Sequence, residues 1–205
     1  MAIPIVGVGA GGHAKSVLEA IRSAGEFEVV ALVDDDPALA GTELLGITVT
    51  AGPPTGARHA FLGVGGIGDP GPRQRVCERL LAEGFELPPI VHASAAVSPW
   101  ATLGRGAQIL AAAVVNADAT LGDGVLINTG AVIEHDCAIG DYAHVAPNAT
   151  LGGGVNVGAG THVGMGAVVI EGRRVGASAF VAAGAVVIAD VPDGARVAGV
   201  PARPV

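Results

Sequence analysis

The chain has 205 residues, of which 33 are glycine, half are hydrophobic and only 3% are aromatic, and its formal net charge is −8 at pH 7. The hydrophobic content argues against disorder, and the acidic balance without a lysine- or arginine-rich run argues against a nucleic-acid backbone or an anionic membrane as the main partner. A core with so few aromatic residues must be built from aliphatic and small side chains, which suits thin, repetitive packing.

The sequence carries no signal for membrane insertion or secretion. No apolar run approaches the roughly 18 residues of a membrane span, and the N-terminus lacks the basic region and cleavage pattern of a signal peptide. The two cysteines, Cys77 and Cys137, do not make a disulfide framework and are expected to be buried and reduced. We therefore expect a cytoplasmic protein with no membrane insertion.

The first 88 residues alternate between strand and helix patterns. Short apolar runs predict buried strands, and the segments between them carry the apolar spacing of helices. This alternation predicts a small α/β domain with a parallel sheet over residues 1–88. The predicted strands cover residues 3–8, 29–33 and 60–65, and the predicted helices end near residue 24 and span residues 73–83.

A glycine-rich turn follows the first predicted strand. Gly7, Gly9 and Gly12 satisfy the pattern G-x-G-x-x-G, and Asp34 follows Gly12 by 22 residues, near the place where dinucleotide-binding folds put a ribose-binding acid. Such glycines let the backbone approach a phosphate at a helix N-terminus. Because fewer than 90 residues precede the repeat described next, we expect a half-Rossmann unit that binds one nucleotide rather than a nicotinamide dinucleotide.

A six-residue repeat occupies the C-terminal half of the chain. Every sixth residue is aliphatic, the residue four positions later is mostly alanine or another small residue, and the frame never shifts. A period of six is typical of a parallel β-helix, in which three six-residue sides form one coil, and it predicts such a domain over residues 89–205. The aliphatic positions are Val91, Val97, Leu103, Ile109, Val115, Leu121, Ile127, Ile133, Ile139, Val145, Leu151, Val157, Val163, Val169, Val175, Val181 and Val187.

Four segments carry a resemblance to a known family. They are Gly-Ala-Gly-Gly-His at 9–13, Asp-Asp at 34–35, Asn-Thr-Gly-Ala-Val-Ile-Glu-His-Asp-Cys at 128–137 and Gly-Val-Pro-Ala-Arg at 199–203. With the short α/β domain and the hexapeptide repeats, they make the whole chain resemble the bacterial nucleotide-sugar acetyltransferases, which include UDP-4-amino-sugar and GDP-perosamine N-acetyltransferases and sialic-acid O-acetyltransferase-like proteins. The resemblance implies a left-handed β-helix, a homotrimer with acetyl-CoA in the groove between neighbouring helices, and a nucleotide sugar on the N-terminal domain.

His135 is the candidate general base. Ile133 and Cys137 of the same hexad point into the coil, so His135 should point outward. Imidazole is the natural base near neutral pH for taking a proton from an amine that attacks a thioester. A carboxylate on the second ring nitrogen would fix the tautomer and raise the basicity. The resemblance places the catalytic base at His135 and this carboxylate at Asp136; a plain surface histidine is the alternative.

Other residues receive a role only through the resemblance. It makes His144 a hydrogen-bond donor to acetyl-CoA and places Met165 and Ala183 beside coenzyme A, mostly through backbone contacts. The alternatives are a surface role for His144, a capping or packing role for His13, and a solvated turn for the aspartate pair. No His/Cys/Asp cluster has metal-ligand spacing, so no metal is expected. The residues that the resemblance assigns to the nucleotide sugar are Gly11, Gly12, His13, Asp34, Asp35 and Gly65.

These observations lead to one functional hypothesis and three alternatives. The hypothesis is transfer of acetyl from acetyl-CoA to the amino group of a nucleotide-linked amino sugar of the 4-amino-4,6-dideoxy class, by direct attack with a histidine base. O-acetylation of a sugar hydroxyl on the same scaffold is the close alternative. A nicotinamide-binding oxidoreductase or sensor, and a non-catalytic β-helical binding module, are the alternatives from other classes.

Overall fold

The computed structural model describes residues 2–205, and its N-terminal part is a mostly parallel sheet with one helix on each face. The predicted α/β alternation is confirmed, with the second helix beginning two residues earlier than predicted. In chain order the elements are β1 (Ile3–Val8), α1 (Gly12–Ala24), β2 (Phe27–Val33), β3 (Glu43–Leu44), β4 (Ile47–Thr50), β5 (His59–Leu62) and α2 (Gly71–Ala82), with a 3₁₀ turn at Pro37–Leu39.

The strand order brings two loops together at one edge of this sheet. The order is β3-β4-β2-β1-β5, so β1 is flanked by β2 on one side and by β5 on the other. The chain leaves β1 and β5 at the same edge, where the glycine turn of residues 9–12 meets the loop of residues 63–66. The crevice at such a reversal of strand order is where open α/β sheets bind ligands.

A short hairpin was not predicted from the sequence. Strands β3 and β4 pair in antiparallel fashion around the two-residue turn Leu45-Gly46, which has φ values of 50° and 78°. Two positive φ angles define the hairpin turn whose usual sequence signal is Asn-Gly. Because leucine rarely adopts this conformation, the turn carries no recognisable signal.

The rest of the chain is a left-handed β-helix, as the resemblance implied. Its sides are two-residue strands separated by tight turns, so it consists almost entirely of short, regularly spaced elements. The strands are β6 (Ile90–Val91), β7 (Ala96–Val97), β8 (Thr102–Leu103), β9 (Gln108–Ile109), β10 (Val114–Val115), β11 (Thr120–Leu121), β12 (Leu126–Ile127), β13 (Val132–Ile133), β14 (Ala138–Ile139), β15 (His144–Val145), β16 (Thr150–Leu151), β17 (Asn156–Val157), β18 (His162–Val163), β19 (Val168–Val169), β20 (Arg174–Val175), β21 (Phe180–Val181), β22 (Val186–Val187), β23 (Arg196–Ala198) and β24 (Arg203–Pro204).

The strands form the three faces of a triangular prism. Face 1 begins with β6 and takes every third strand to β21, followed by β23 and the antiparallel β24. Face 2 runs from β7 to β22, and face 3 from β8 to β20. Parallel partners are one coil apart in sequence, as in the pair Val114 and Val132, so backbone hydrogen bonds run along the axis of the prism.

The inside of the prism is a single aliphatic core. All seventeen predicted aliphatic positions belong to it; Val91, Val97 and Leu103 in the first coil are half-buried and the other fourteen are buried. Small residues fill the corners, and Cys137 is one of them, buried and unpaired as predicted. The predicted register of the repeat and the inward orientation of its aliphatic side chains are confirmed, because only a six-residue period places one aliphatic side chain per side inside the coil.

The α/β part packs against the first coils of face 1. Helix α1 shares a core cluster with Ile90, Leu110 and Leu126 of this face, and the Ser23 hydroxyl accepts a hydrogen bond from the backbone N–H of Ala93 at 3.0 Å. Within residues 2–205, no helix has both the length and the apolar character needed to cross a bilayer.

Candidate active site

His135 lies in a turn at the corner between faces 2 and 3. Its Nδ1 atom is 2.7 Å from Oδ2 of Asp136, and both side chains are 63% exposed. Asp136 has a φ of 61°, a left-handed conformation that aspartate tolerates better than most residues because its short side chain can form local hydrogen bonds. Because a carboxylate only accepts, Nδ1 carries the proton and Nε2 presents its lone pair outward.

The electrostatics of this corner favour a basic imidazole. The hydrogen bond to Asp136 raises the pKa of His135 above its usual value, and the charge of Glu134 adds to the effect. Glu134 is held by a hydrogen bond from Nδ2 of Asn116, one coil earlier, at 2.9 Å. A ring with a fixed tautomer and an upward-shifted pKa is suited to accept a proton at Nε2.

The ring of His135 lies directly over Gly153, one coil further along the helix. A Cβ atom at that position would come within 2.7 Å of Cε1 and 2.8 Å of Nε2 of the histidine. The absence of a side chain at Gly153 therefore lets the ring of His135 lie against the backbone of the next coil, a contact that was not predicted from the sequence.

A cavity of about 470 Å³ opens between face 1 and the loop of residues 63–66. It brings together five of the residues that the resemblance assigned to ligands, and most of the remaining lining is apolar. Those five are His13, Gly65, His144, Met165 and Ala183; the other lining residues are Gly66, Ile67, Leu126, Asn128, Ala146, Pro147, His162, Gly164 and Phe180.

His144 has both ring nitrogens engaged by the protein. Nδ1 lies 2.7 Å from the carbonyl oxygen of Gly66, so it donates, and Nε2 lies 3.1 Å from the amide nitrogen of Asn128, from which it accepts. Burial is the main cause that lowers the pKa of His144 to about 4. In this arrangement the neutral ring has no free N–H, and the donor role toward acetyl-CoA that the resemblance gives to His144 stays a prediction.

The same face of the β-helix carries an aromatic ladder above His144. His162 is one coil further on, with its ring centroid 4.8 Å from that of His144, and it stacks on Phe180 at 5.1 Å. Nδ1 of His162 is buried and, within residues 2–205, has no hydrogen-bond partner. His162 was not predicted as a lining residue, although its spacing of 18 residues from His144 places both side chains in one outward row.

The aspartate pair is divided between two roles. Asp34 accepts hydrogen bonds from the backbone N–H groups of Ala10 at 2.7 Å and Asp36 at 3.0 Å, so its carboxylate holds the glycine turn. Asp35 instead faces outward and forms an ion pair with Arg79 at 3.2 Å. Asp35 is therefore the more exposed of the two carboxylates, and Asp34 is half-buried.

The glycines of the N-terminal turn also differ in their roles. A Cβ atom at Gly63 would meet the Gly9 carbonyl oxygen, and Gly9 has a φ of 104°, so these two are required by the backbone. Gly11 and Gly12 have open space beside them, and Gly11 is the N-cap of α1. The predicted ligand-binding glycines are thus the accessible ones, at the positive end of the helix dipole.

Buried polar side chains that the sequence analysis did not single out join the two parts of the protein. Arg73 of α2 is 2% exposed and donates to the carbonyl oxygens of Gly124 at 2.8 Å and Val64 at 2.9 Å. Gln108 is 1% exposed and donates to the carbonyl oxygen of Leu62 at 2.7 Å. No group of histidine, cysteine and acidic side chains within residues 2–205 is arranged to hold a metal ion.

Comparisons with known proteins match both parts of the chain. Residues 4–80 match the family described as the PglD N-terminal domain, and residues 118–153 match the bacterial transferase hexapeptide repeats. None of the curated proteins compared with the chain matches it.

Solved structures similar to the whole chain include two acetyltransferases with bound ligands. One is the perosamine N-acetyltransferase PerB of Caulobacter crescentus in complex with CoA and GDP-perosamine; identity is 41%, coverage is 98% of this chain and 97% of that chain, and the TM-score is 0.90. The other is the acetyltransferase domain of PglB from Neisseria gonorrhoeae in complex with acetyl coenzyme A, with 33% identity, full coverage of both chains and a TM-score of 0.89.

Proposed function

The chain belongs to the bacterial nucleotide-sugar acetyltransferases of the hexapeptide-repeat family, and on that premise we propose that it acetylates the amino group of a nucleotide-linked 4-amino-4,6-dideoxy sugar with acetyl-CoA. The observation that carries the proposal is the outward Nε2 of His135, made basic by Asp136 at 2.7 Å. PerB, which is similar over the whole chain, has been solved with CoA and GDP-perosamine bound.

The proposed reaction is a direct transfer. The amine nitrogen bonds to the carbonyl carbon of the thioester while its proton passes to Nε2 of His135. The carbon–sulfur bond breaks, and the thiolate of coenzyme A leaves and takes up a proton, which restores the neutral imidazole. Direct attack is preferred to an acyl-enzyme because Cys137, beside the base, lies inside the coil with its pKa raised by burial.

The two substrates are assigned to the two parts of the chain. We propose that residues 1–88 bind the nucleotide sugar through Gly11, Gly12, His13, Asp35 and Gly65, and that residues 89–205 bind acetyl-CoA beside His144, Met165 and Ala183. Asp34 belongs to the same proposed set, and its carboxylate also holds the glycine turn. Because acetyl-CoA and nucleotide sugars are made in the cytoplasm, we place the reaction there.

The test of the function is a substrate panel. UDP-, GDP- and dTDP-linked 4-amino sugars are each incubated with acetyl-CoA while free thiol is monitored, with the matching 4-hydroxy sugars as controls. Thiol release with an amino sugar and not with its hydroxy counterpart supports the proposal. Release only with hydroxy sugars supports O-acetylation instead, and thermal stabilisation by NADH without thiol release supports the nicotinamide alternative.

We further propose that the active site is shared between copies in a homotrimer. The corner that holds His135 lies between faces 2 and 3, opposite face 1, where the cavity opens. Within one chain, His135 and the cavity therefore lie on opposite sides of the prism. A neighbouring chain packed against face 1 would place its own His135 at that cavity. Sedimentation equilibrium should give about 60 kDa, three times the chain mass of 20.0 kDa. An active monomer would refute the shared site.

Replacing Asp136 with asparagine should move the pH dependence of the reaction. His135 must be neutral to act as a base, so the acidic limb of the kcat/KM profile follows its pKa. Asp136 raises that pKa, and its loss should therefore shift the limb to lower pH while lowering the plateau about tenfold, because the base becomes weaker and loses its fixed tautomer. Asp118→Asn, at the equivalent left-handed turn one coil earlier, is the matched control and should leave the profile unchanged. If the acidic limb stays at the same pH in Asp136→Asn, Asp136 does not set the pKa of the general base.

A further inference from the structure

Gln108 is a buried amide at the junction between the two parts of the protein. It precedes Ile109 on face 1 and points out of the coil toward β5, yet it is only 1% exposed. Its Nε2 atom donates to the carbonyl oxygen of Leu62 at 2.7 Å. Because a carbonyl oxygen can only accept, this contact fixes the orientation of the amide, and Oε1 is the atom that faces His13.

The fixed amide in turn fixes the tautomer of His13. Nε2 of His13 lies 2.8 Å from Oε1 of Gln108, and since that oxygen only accepts, Nε2 carries the proton. Burial, with a smaller contribution from the charge of Arg73, lowers the pKa of His13 to about 4, so the ring is neutral. The lone pair is therefore on Nδ1.

Nδ1 of His13 is the ring nitrogen left for a ligand. Within residues 2–205 it has no hydrogen-bond partner, and unlike Nδ1 of His162 it is not sealed from solvent. The ring packs against Gly65, where a Cβ atom would come within 3.3 Å of Cγ, and it lines the cavity. The charged and titratable groups coupled to the ring are Arg73 and His144.

We propose that Gln108 is a positioning residue that makes His13 a hydrogen-bond acceptor toward the cavity, so that the group of the nucleotide sugar at His13 is an O–H or N–H and not a phosphate oxygen. A phosphate oxygen is itself only an acceptor and would be repelled by the Nδ1 lone pair. The inference rests on the proposed function for the identity of the ligand, whereas the tautomer is a property of the free protein. It adds to the proposed sugar site the direction of one hydrogen bond, in which the nucleotide sugar donates and Nδ1 of His13 accepts.

The tautomer can be measured without any substrate. In the full-length protein labelled with ¹⁵N-histidine, two-bond ¹⁵N–¹H correlation spectra distinguish a ring protonated at Nε2 from one protonated at Nδ1. We expect His13 to be a single Nε2–H tautomer, and Gln108→Met to give a mixture of both tautomers. A Nδ1–H ring in the wild-type protein, or an unchanged single tautomer in Gln108→Met, overturns the proposal, whether or not the protein acetylates any sugar of the panel.

The polarity of the contact is tested by two substitutions of His13. Asparagine keeps a carbonyl oxygen near the position of Nδ1, whereas glutamine keeps an N–H near the position of Nε2 and loses the acceptor. With the best amino sugar of the panel, His13→Gln should raise the KM for the nucleotide sugar about tenfold more than His13→Asn does, with the KM for acetyl-CoA equal in both. Equal losses, or a larger loss in His13→Asn, overturn the inference; if no sugar is turned over, the proposed function fails while the tautomer result stands.

Discussion

The kcat of the His135→Ala variant is expected to fall by about two to four orders of magnitude, the range lost when a general base is removed. The amine nucleophile must lose its proton as it bonds to the thioester carbon, and the substitution removes the imidazole that accepts this proton. The lost contact matters chiefly in the transition state, so the KM values for both substrates should change little. Initial rates of thiol release with the best amino sugar of the panel measure both parameters.

His92→Ala is a matched control for this substitution. His92 lies just after β6, outside the proposed site, where its Nδ1 accepts a hydrogen bond from the backbone N–H of Ser94 at 3.0 Å. Its removal should leave kcat within about twofold of wild type. Turnover of His135→Ala at the wild-type rate would show that His135 is not the general base. A loss of folded protein would instead show in the circular dichroism spectrum, because the β-helix makes up more than half of the chain.

The repeat made most of the fold predictable, because its packing is strictly periodic. In a coil of three sides, one aliphatic and one small side chain per six residues are all that fit inside, so Val91 and the sixteen positions that follow in register identify the core. The outward direction of His135 follows from the same frame, since Ile133 and Cys137 on either side of it are buried. The left hand of the β-helix was implied by the resemblance, because the repeat pattern alone does not specify the hand of the coil.

The partners of the site side chains were not predictable, because they come from contacts between distant segments. The contact of His144 with Gly66 spans 78 residues and that of His13 with Gln108 spans 95, and no local pattern encodes either. The same holds for Asp34, which has the sequence position of a ligand-binding acid but serves the backbone of the glycine turn 24 residues earlier. The hydrogen-bond partners of the predicted site residues therefore could not be predicted from the local sequence.

Arg73→Met is expected to lower the free energy of unfolding by about 3–5 kcal/mol, because it removes a charged donor from buried or half-buried carbonyl oxygens. The guanidinium donates to Gly124 and Val64 and, more weakly, to Gly106 at 3.4 Å. Burial lowers its pKa to about 10, so it remains charged at neutral pH. Methionine fills most of the space but leaves these acceptors unpaired. Thermal denaturation should show a melting temperature about 10 °C lower.

The Arg73→Met substitution should also affect the substrate sites, because Arg73 holds Val64 at the start of the loop that lines the cavity. The positive charge of Arg73 lowers the pKa values of His13 and His144, so its removal should raise both, which NMR titration of the ring protons can follow. Arg75→Met, on the exposed side of the same helix, is the control and should leave stability and both titrations unchanged. Equal stability of the two variants would mean that the junction does not depend on the buried charge. A large loss of stability in Arg73→Met alone would show that the junction between the two halves of the chain depends on this side chain, whose charge also adds to the lowering of the pKa values of His13 and His144.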